Sequence, residues 1–220
     1  MKISVPTSLS DITLEKYLLY LKELKIIEEK NLPDTHLNTK LLEIFCDISY
    51  EQSLNIQMTS VLEVSATIKE VLLQEPERVE FFNIGKIKFG WLPKLDSMSW
   101  GEFLDLNNNI SDWETIIISM GVLYRPVTRI YNGKYLIEEY KGDTYHDALM
   151  QMPMDAVIGA MVFFWNLGMD CARYIAKYLE EEATKMNFQN QLSLVENGVG
   201  IQQSMNSLEV MLQKSMKLQS

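Results

Sequence analysis

The chain has 220 residues, 47% of them hydrophobic, which is enough to bury a substantial core and too many for a disordered polymer. Thirty acidic residues against twenty basic ones leave a formal charge of −10, so the average surface repels a phosphate backbone and direct nucleic-acid binding is not expected. The two cysteines, Cys46 and Cys171, stand far apart with no CxxC pair; no disulfide framework follows, and both thiols read as small hydrophobes.

The opening stretch MKISVPTSLSD lacks the apolar run of a secretory signal, so the protein is expected to stay where it is made. Within it, KISV at 2–5 reads as a short strand closed by Pro6, and Thr13 then caps a helix through about Glu29. On that helix Lys22, Lys25 and Lys30 interleave with Glu23, Glu28 and Glu29, the pattern of a solvated face. A second helix covers HLNTKLLEIFCDI, SYEQ from Ser49 to Gln52 is a capping box opening a short third, and a fourth runs from about Thr59 to Gln74, ending at Glu75-Pro76. RVEFFNIGKIKFGWLP reads as two strands about an Asn-Ile-Gly turn.

Val5–Leu18 and Leu92–Leu104 share a plan: a strand-ending proline, a polar link, Thr or Ser, then an aromatic-Leu pair four residues on. An internal repeat and a chance recurrence of helix caps both account for it. Ser111 to Glu114, SDWE, is an S-x-x-E box opening the helix DWETIIISMGVLY. After Pro126, Asn132-Gly133 stands between two β-rich runs as a type I′ hairpin turn requires, pairing Tyr131 with Lys134 and Ile130 with Tyr135.

MPMDAVIGAMVFFWNLGMD, from Met152 to Asp170, is the most apolar stretch. Only fourteen residues separate Asp155 from Asp170, against roughly twenty for a bilayer span, so stable membrane insertion is not expected. Asp155, Gly159, Asn166, Asp170, Arg173 and Lys177 fall on one helical stripe, and the rest of the circumference is apolar, as in a helix surrounded by protein. Beyond it Phe188, Leu192, Val195 and Val199 follow 4-3-4 spacing, as do Ile201, Met205, Leu208 and Leu212, out of register across NGVG at 197–200. Together these predict a mainly α chain with small β elements. A helical bundle surrounds the buried apolar helix in one domain over 1–182, with β-hairpins near 80–91 and 127–138. An amphipathic tail over 183–220 hinges at 197–200.

Chemistry-bearing patterns are missing. DTYHD brings Asp143, His146 and Asp147 together without a third metal ligand, and a Thr144 cap beside a solvated His146 accounts for it. H-E-x-x-H, G-x-S-x-G and the Gly-rich phosphate loops are absent. Glu138-Glu139 and the glutamates at 180–182 read as solvated faces. No enzyme, cofactor or metal is expected. The candidate interaction surface is apolar: Met154, Met161, Phe164, Trp165 and Met169 on the helix, with Leu192, Val195, Met205, Leu208 and Leu212 in the tail.

GWLPKLDSMSWGEFLDLNNNISDWETIIISMGVLYRPV, then GKYLIEEYKGD and MPMDAVIGAMVFFWNLGMD, resembles a family of small proteins encoded near the structural genes of tailed bacteriophages, notably crAss-like phages of gut Bacteroidales. The likeness covers about Lys86 to Asp170, with a weaker echo in KISVPTSLSDITLEKY. The resemblance implies a mainly helical protein made in the host bacterial cytoplasm, carried in capsid or tail as a virion structural or cargo protein, with other phage structural proteins or its own copies as partners. It equally admits a non-virion tail or head assembly chaperone. The apolar helix adds a third expectation, an ejected protein that meets the host envelope.

Overall fold

Thr13 decides where the first helix begins: its side-chain oxygen accepts the Lys16 backbone N–H at 3.3 Å. In the computed structural model, which describes residues 3–183, α1 spans Leu14–Lys30 and ends at Asn31 in the left-handed conformation (φ 48°). It buries Leu14, Tyr17, Tyr20 and Leu24 and leaves Lys22, Lys25, Glu28, Glu29 and Lys30 in solvent, the solvated face expected of it. Burial pushes the Tyr20 hydroxyl up to about 12. Helix packing continues through α2 (Asp34–Cys46), which rests against α1, the short α3 (Tyr50–Ser53) inside its Ser49/Gln52 capping box, and α4 (Met58–Leu72), which packs on α2. The expected strand at 2–5 is not formed: described residues from Ile3 to Val5 are irregular, because no sheet edge lies beside them to supply ladder bonds.

One four-stranded antiparallel sheet, in the order β1-β2-β3-β4, joins what the sequence presents as two separate hairpins. Strand β1 (Phe81–Ile84) pairs β2 (Ile87–Trp91), with Ile84 opposite Ile87, so the two-residue turn is Gly85-Lys86 and not Asn-Ile-Gly. Gly85 takes the positive φ (59°) that the turn needs. Strand β3 (Tyr124–Tyr131) is long enough to serve both neighbours. Its first half pairs β2 and its second half pairs β4 (Lys134–Ile137), with an irregularity between Val127 and Arg129 where the strand changes partner. Tyr131 faces Lys134 and Ile130 faces Tyr135, and Asn132 and Gly133 both have positive φ (49° and 72°), as expected of this hairpin.

Two helices precede the second hairpin. Ser99 caps α5 (Trp100–Asn109), its hydroxyl accepting from Glu102 N while the Glu102 carboxylate accepts from Ser99 N at 2.6 Å. The box expected at Ser111 does not form. Asp112 Oδ1 takes the Glu114 N–H instead, in a turn, and α6 begins only at Ile116. α6 (Ile116–Leu123) is buried over most of its length and runs straight into β3, so Tyr124 is the first strand residue and not the last of a helix. The buried Tyr124 hydroxyl donates to the carbonyls of Val79 (2.7 Å) and Ala156 (3.4 Å), tying the sheet to the last helix.

After the short α7 (His146–Leu149), α8 runs from Met154 to Ala183. The chain's two ends of the domain clasp at its start: Leu14 N–H donates to Met152 O, Glu15 N–H to Met150 O and Met154 N–H to Ile12 O, each at 2.9 Å. Gly159, expected on the polar stripe, is buried against the chain at Glu77-Arg78. A Cβ there would stand 2.5 Å from the Glu77 carbonyl oxygen. Gly159→Ala is therefore expected to destabilise the fold by about 1–3 kcal/mol, whereas Gly101→Ala, with nothing within 4 Å, should stabilise α5 by up to about 1 kcal/mol. Denaturant unfolding of the two variants side by side checks both signs.

The mainly α character with a small β component is as expected. The helix read as the buried centre of a bundle is buried only near its start, from Met154 to Met161. Met154, Ala156, Val157, Ala160 and Met161 are completely inaccessible, and no described α8 residue after Met161 is.

Candidate interaction surface

That division of α8 sorts the predicted surface residues. Met154 and Met161 belong to the core of this chain and are not available to a partner, because the sheet, α1 and the 3-10 turn at Leu9–Asp11 close over them. Phe164 and Trp165 are half-buried at the boundary, and Met169 is partly exposed beyond it. Periodicity alone does not separate these cases, since residues 154, 161, 168 and 175 recur every seven and share one helix side. Leu192, Val195, Met205, Leu208 and Leu212, with the hinge at 197–200, lie outside the described residues.

At the boundary, aromatic rings gather. Trp91 at the end of β2 meets Phe163 edge-on at 5.4 Å and Phe164 at 6.1 Å, while the Arg78 guanidinium lies 5.0 Å above the Trp91 ring. Next to this cluster, α5 offers Trp100 and Phe103, stacked at 5.3 Å and exposed by 72% and 44%. Leu95, Met98, Phe103, Leu106, Phe164 and Leu167 line a pocket of about 390 Å³ beside them. The sequence reading did not single out Trp100 or Phe103. The signal was the repeated plan: a 3-10 turn precedes the cap and helix at both Leu9–Asp11 and Leu95–Ser97. Yet Tyr17, four residues after its cap, is buried, and Phe103, four residues after its own, is open. The body covers one copy of the motif and leaves the other bare.

Behind this surface Glu102 and Arg125 form a buried ion pair, Arg125 Nη1 to Glu102 Oε1 at 3.0 Å, with the residues only 8% and 6% exposed. Burial lowers the Arg125 pKa and the neighbouring carboxylate counters it. Arg125 Nε has no hydrogen-bond partner. The pair sits at the wall of a wider groove of about 1090 Å³ between the 92–97 loop and β4. Arg78, Lys94 and Lys134 there are countered by Glu80, Asp96, Glu138 and Glu139, so the groove selects no single sign of charge strongly.

Other expected features resolve differently. His146 is not the solvated residue that DTYHD suggested: its ring packs against Gly121 and its Nε2 is buried without a partner. Thr144 donates to Lys141 O and does not cap α7, whose preceding residue is Tyr145. Among the described residues no group of three or more His, Cys, Asp or Glu is placed to hold a metal ion. Glu138 is partly buried and accepts the Tyr145 hydroxyl at 2.7 Å, so it is more than a solvated charge. Cys46 is buried as a small hydrophobe, but Cys171 is exposed.

No family model, curated protein or solved structure matches the chain.

The length argument about α8 also changes. Asp155 and Asp170 lie inside one 30-residue helix, and Met154–Ile175 is long and apolar enough to cross a membrane. Its first eight residues, however, run through the protein core.

Proposed function

We propose that this chain works through protein–protein contacts, as a structural or cargo protein of a phage particle, and that a partner docks on the apolar surface shared by α5 and α8. The observation that carries the docking reading is the open Trp100–Phe103 stack beside a pocket floored by Phe164 and Leu167. A large aromatic pair exposed next to an apolar recess has the composition of an interaction hot spot. The phage assignment rests on the sequence resemblance, as do capsid or tail as its place and other phage structural proteins or copies of itself as partners. The same surface also fits a non-virion assembly chaperone, which would shield a partner and then leave.

Quantitative mass spectrometry of purified particles beside infected-cell lysate separates the two. Many copies per particle are expected; abundance in lysate with absence from particles would replace the virion role by the chaperone role. Trp100→Ser should reduce recovery with particles about tenfold or more, the loss of at least ~1.4 kcal/mol of contact energy. Its thermal unfolding should hardly move, since the ring supports little of the core. Unchanged recovery would place the docking surface elsewhere. The apolar length of α8 favours the envelope reading, for which liposome flotation of the purified chain is the check.

A further inference from the structure

Both turns of the sheet lie at one end. Strand β2 leaves its turn at Ile87 and reaches Trp91 opposite Tyr124, where β3 starts, so β3 runs back toward Gly85-Lys86 and carries the Asn132-Gly133 turn past it. Pairing with β2 stops at Pro126, and beyond it the β3–β4 ribbon pairs only within itself. Every residue from Thr128 to Lys134 is exposed, and Ile130, Tyr131 and Leu136 are open by 55%, 66% and 62%. A two-stranded ribbon is marginal in water by itself, so apolar groups left bare on it are positions for a partner to cover.

Charge sets this end apart from the rest of the molecule. Residues 84–88 and 128–136 hold four of the chain's twenty basic residues, Lys86, Lys88, Arg129 and Lys134, and none of its thirty acidic ones. All four are exposed, and among the described residues none of them takes part in an ion pair. One face of the ribbon combines both properties. Arg129 stands across from Leu136 and Tyr131 across from Lys134, cross-strand partners share a face, and the Arg129 guanidinium lies 5.8 Å from the Tyr131 ring.

The opposite combination lies on α4. Met58, Leu62, Ala66 and Leu73 share the side of the helix that the body leaves open, Met58 by 74%, and the exposed Glu63 and Glu70 run along their border. Ile68, Val71 and Leu72 fill the buried side.

We propose that the cationic end of the sheet in one copy of this chain docks on the open face of α4 in a second copy, with Tyr131 and Leu136 against Met58, Leu62 and Leu73, and Arg129 and Lys134 against Glu63 and Glu70. Charge complementarity selects this occupant. The α5–α8 surface is a poorer match for the same end, since Asp96 there is offset by Lys94, Asp105 accepts the Tyr140 hydroxyl and Glu102 is taken by Arg125. A phosphate backbone would satisfy the four charges and leave Tyr131 and Leu136 uncovered, whereas α4 supplies acid and apolar surface together. Each copy carries −10, which opposes association at long range. Screening at physiological ionic strength acts over about 8 Å, so charges facing each other across a contact still attract while those spread over the two bodies are largely damped.

Analytical ultracentrifugation of the full chain over a range of concentrations tests this, with thermal melts to verify the fold of each variant. The wild type should self-associate. Arg129→Glu with Lys134→Glu, and separately Glu63→Lys with Glu70→Lys, should each weaken association about tenfold or more, because like charges then face each other. An equal mixture of the two variants should recover it, since the reversed ribbon meets a reversed helix. All four positions are exposed, so folding should hold; a variant that does not fold is replaced by its glutamine form, read for the same loss. A wild type that stays monomeric up to about 1 mM overturns the proposal. So does association that survives either pair of reversals, or a mixture of reversed variants that fails to associate. Capture of a monomeric wild type by anionic lipid vesicles or a single-stranded oligonucleotide, lost with Arg129→Glu and Lys134→Glu, would give the cationic end to a polyanion instead. Dissociation by Trp100→Ser, with both charge-reversed variants still associating, would move the contact to the α5–α8 surface. Particle recovery, which tests that surface, does not enter these readings, so either idea can fail alone.

Discussion

Glu102→Gln is expected to lower the unfolding free energy by about 3–5 kcal/mol, because it leaves the Arg125 guanidinium charged, buried and unpaired. Arg125→Met should cost a comparable amount by stranding the carboxylate. The double variant should be less destabilised than either single one, since removing both charges removes the desolvation penalty along with the attraction. Urea unfolding of the four proteins closes this cycle. Additive losses would mean that the two side chains act separately, Glu102 chiefly through its bond to Ser99 N.

The second large effect divides α8. Met161→Asp places a carboxylate where no surface is accessible and should cost several kcal/mol, enough to abolish folding in a domain of ordinary stability. Met169→Asp, eight residues on, should change global unfolding by at most about 1 kcal/mol, since the body does not rest on that position. Thermal melts of both variants read the difference. Equal losses would mean that the distal half of the helix is as much a part of the core as the first.

Local chemistry was legible in the sequence wherever a residue's neighbours along the chain settle its conformation. Asn132-Gly133 dictates its hairpin and register, and Thr13 and Ser49 dictate their helix starts, because the deciding atoms lie within four residues. Ser111 has the letters of a cap but loses the backbone N–H to Asp112, one residue closer. What was not legible is long-range. Nothing in the sequence joins Glu102 to Arg125, and a charged pair from a helix and a strand leaves no periodic trace. The strand expected before Pro6 had the composition but no partner, and β-structure is a property of pairs. The candidate surface was half legible: the apolar helix stood out, but buried and bare stretches of one stripe are spelled alike, and the bare aromatic pair sits on a helix whose entry was read only as one half of a repeated plan.

The clasp between Ile12–Glu15 and Met150–Met154 sets a schedule for synthesis. The first helix lacks this part of its cover until the ribosome has added about 140 further residues and those have cleared the exit tunnel, on the order of ten seconds at roughly 5–20 residues per second. Through that interval Tyr20 can already meet Phe45 and, later, Tyr17 can meet Trp113, but the backbone of Leu14 and Glu15 lacks the acceptors at Met150 and Met152. Growth at the ribosome thus leaves the amino-terminal third as a waiting half-structure, and the nascent chain is most vulnerable to proteases and to sticking just before its last helix emerges.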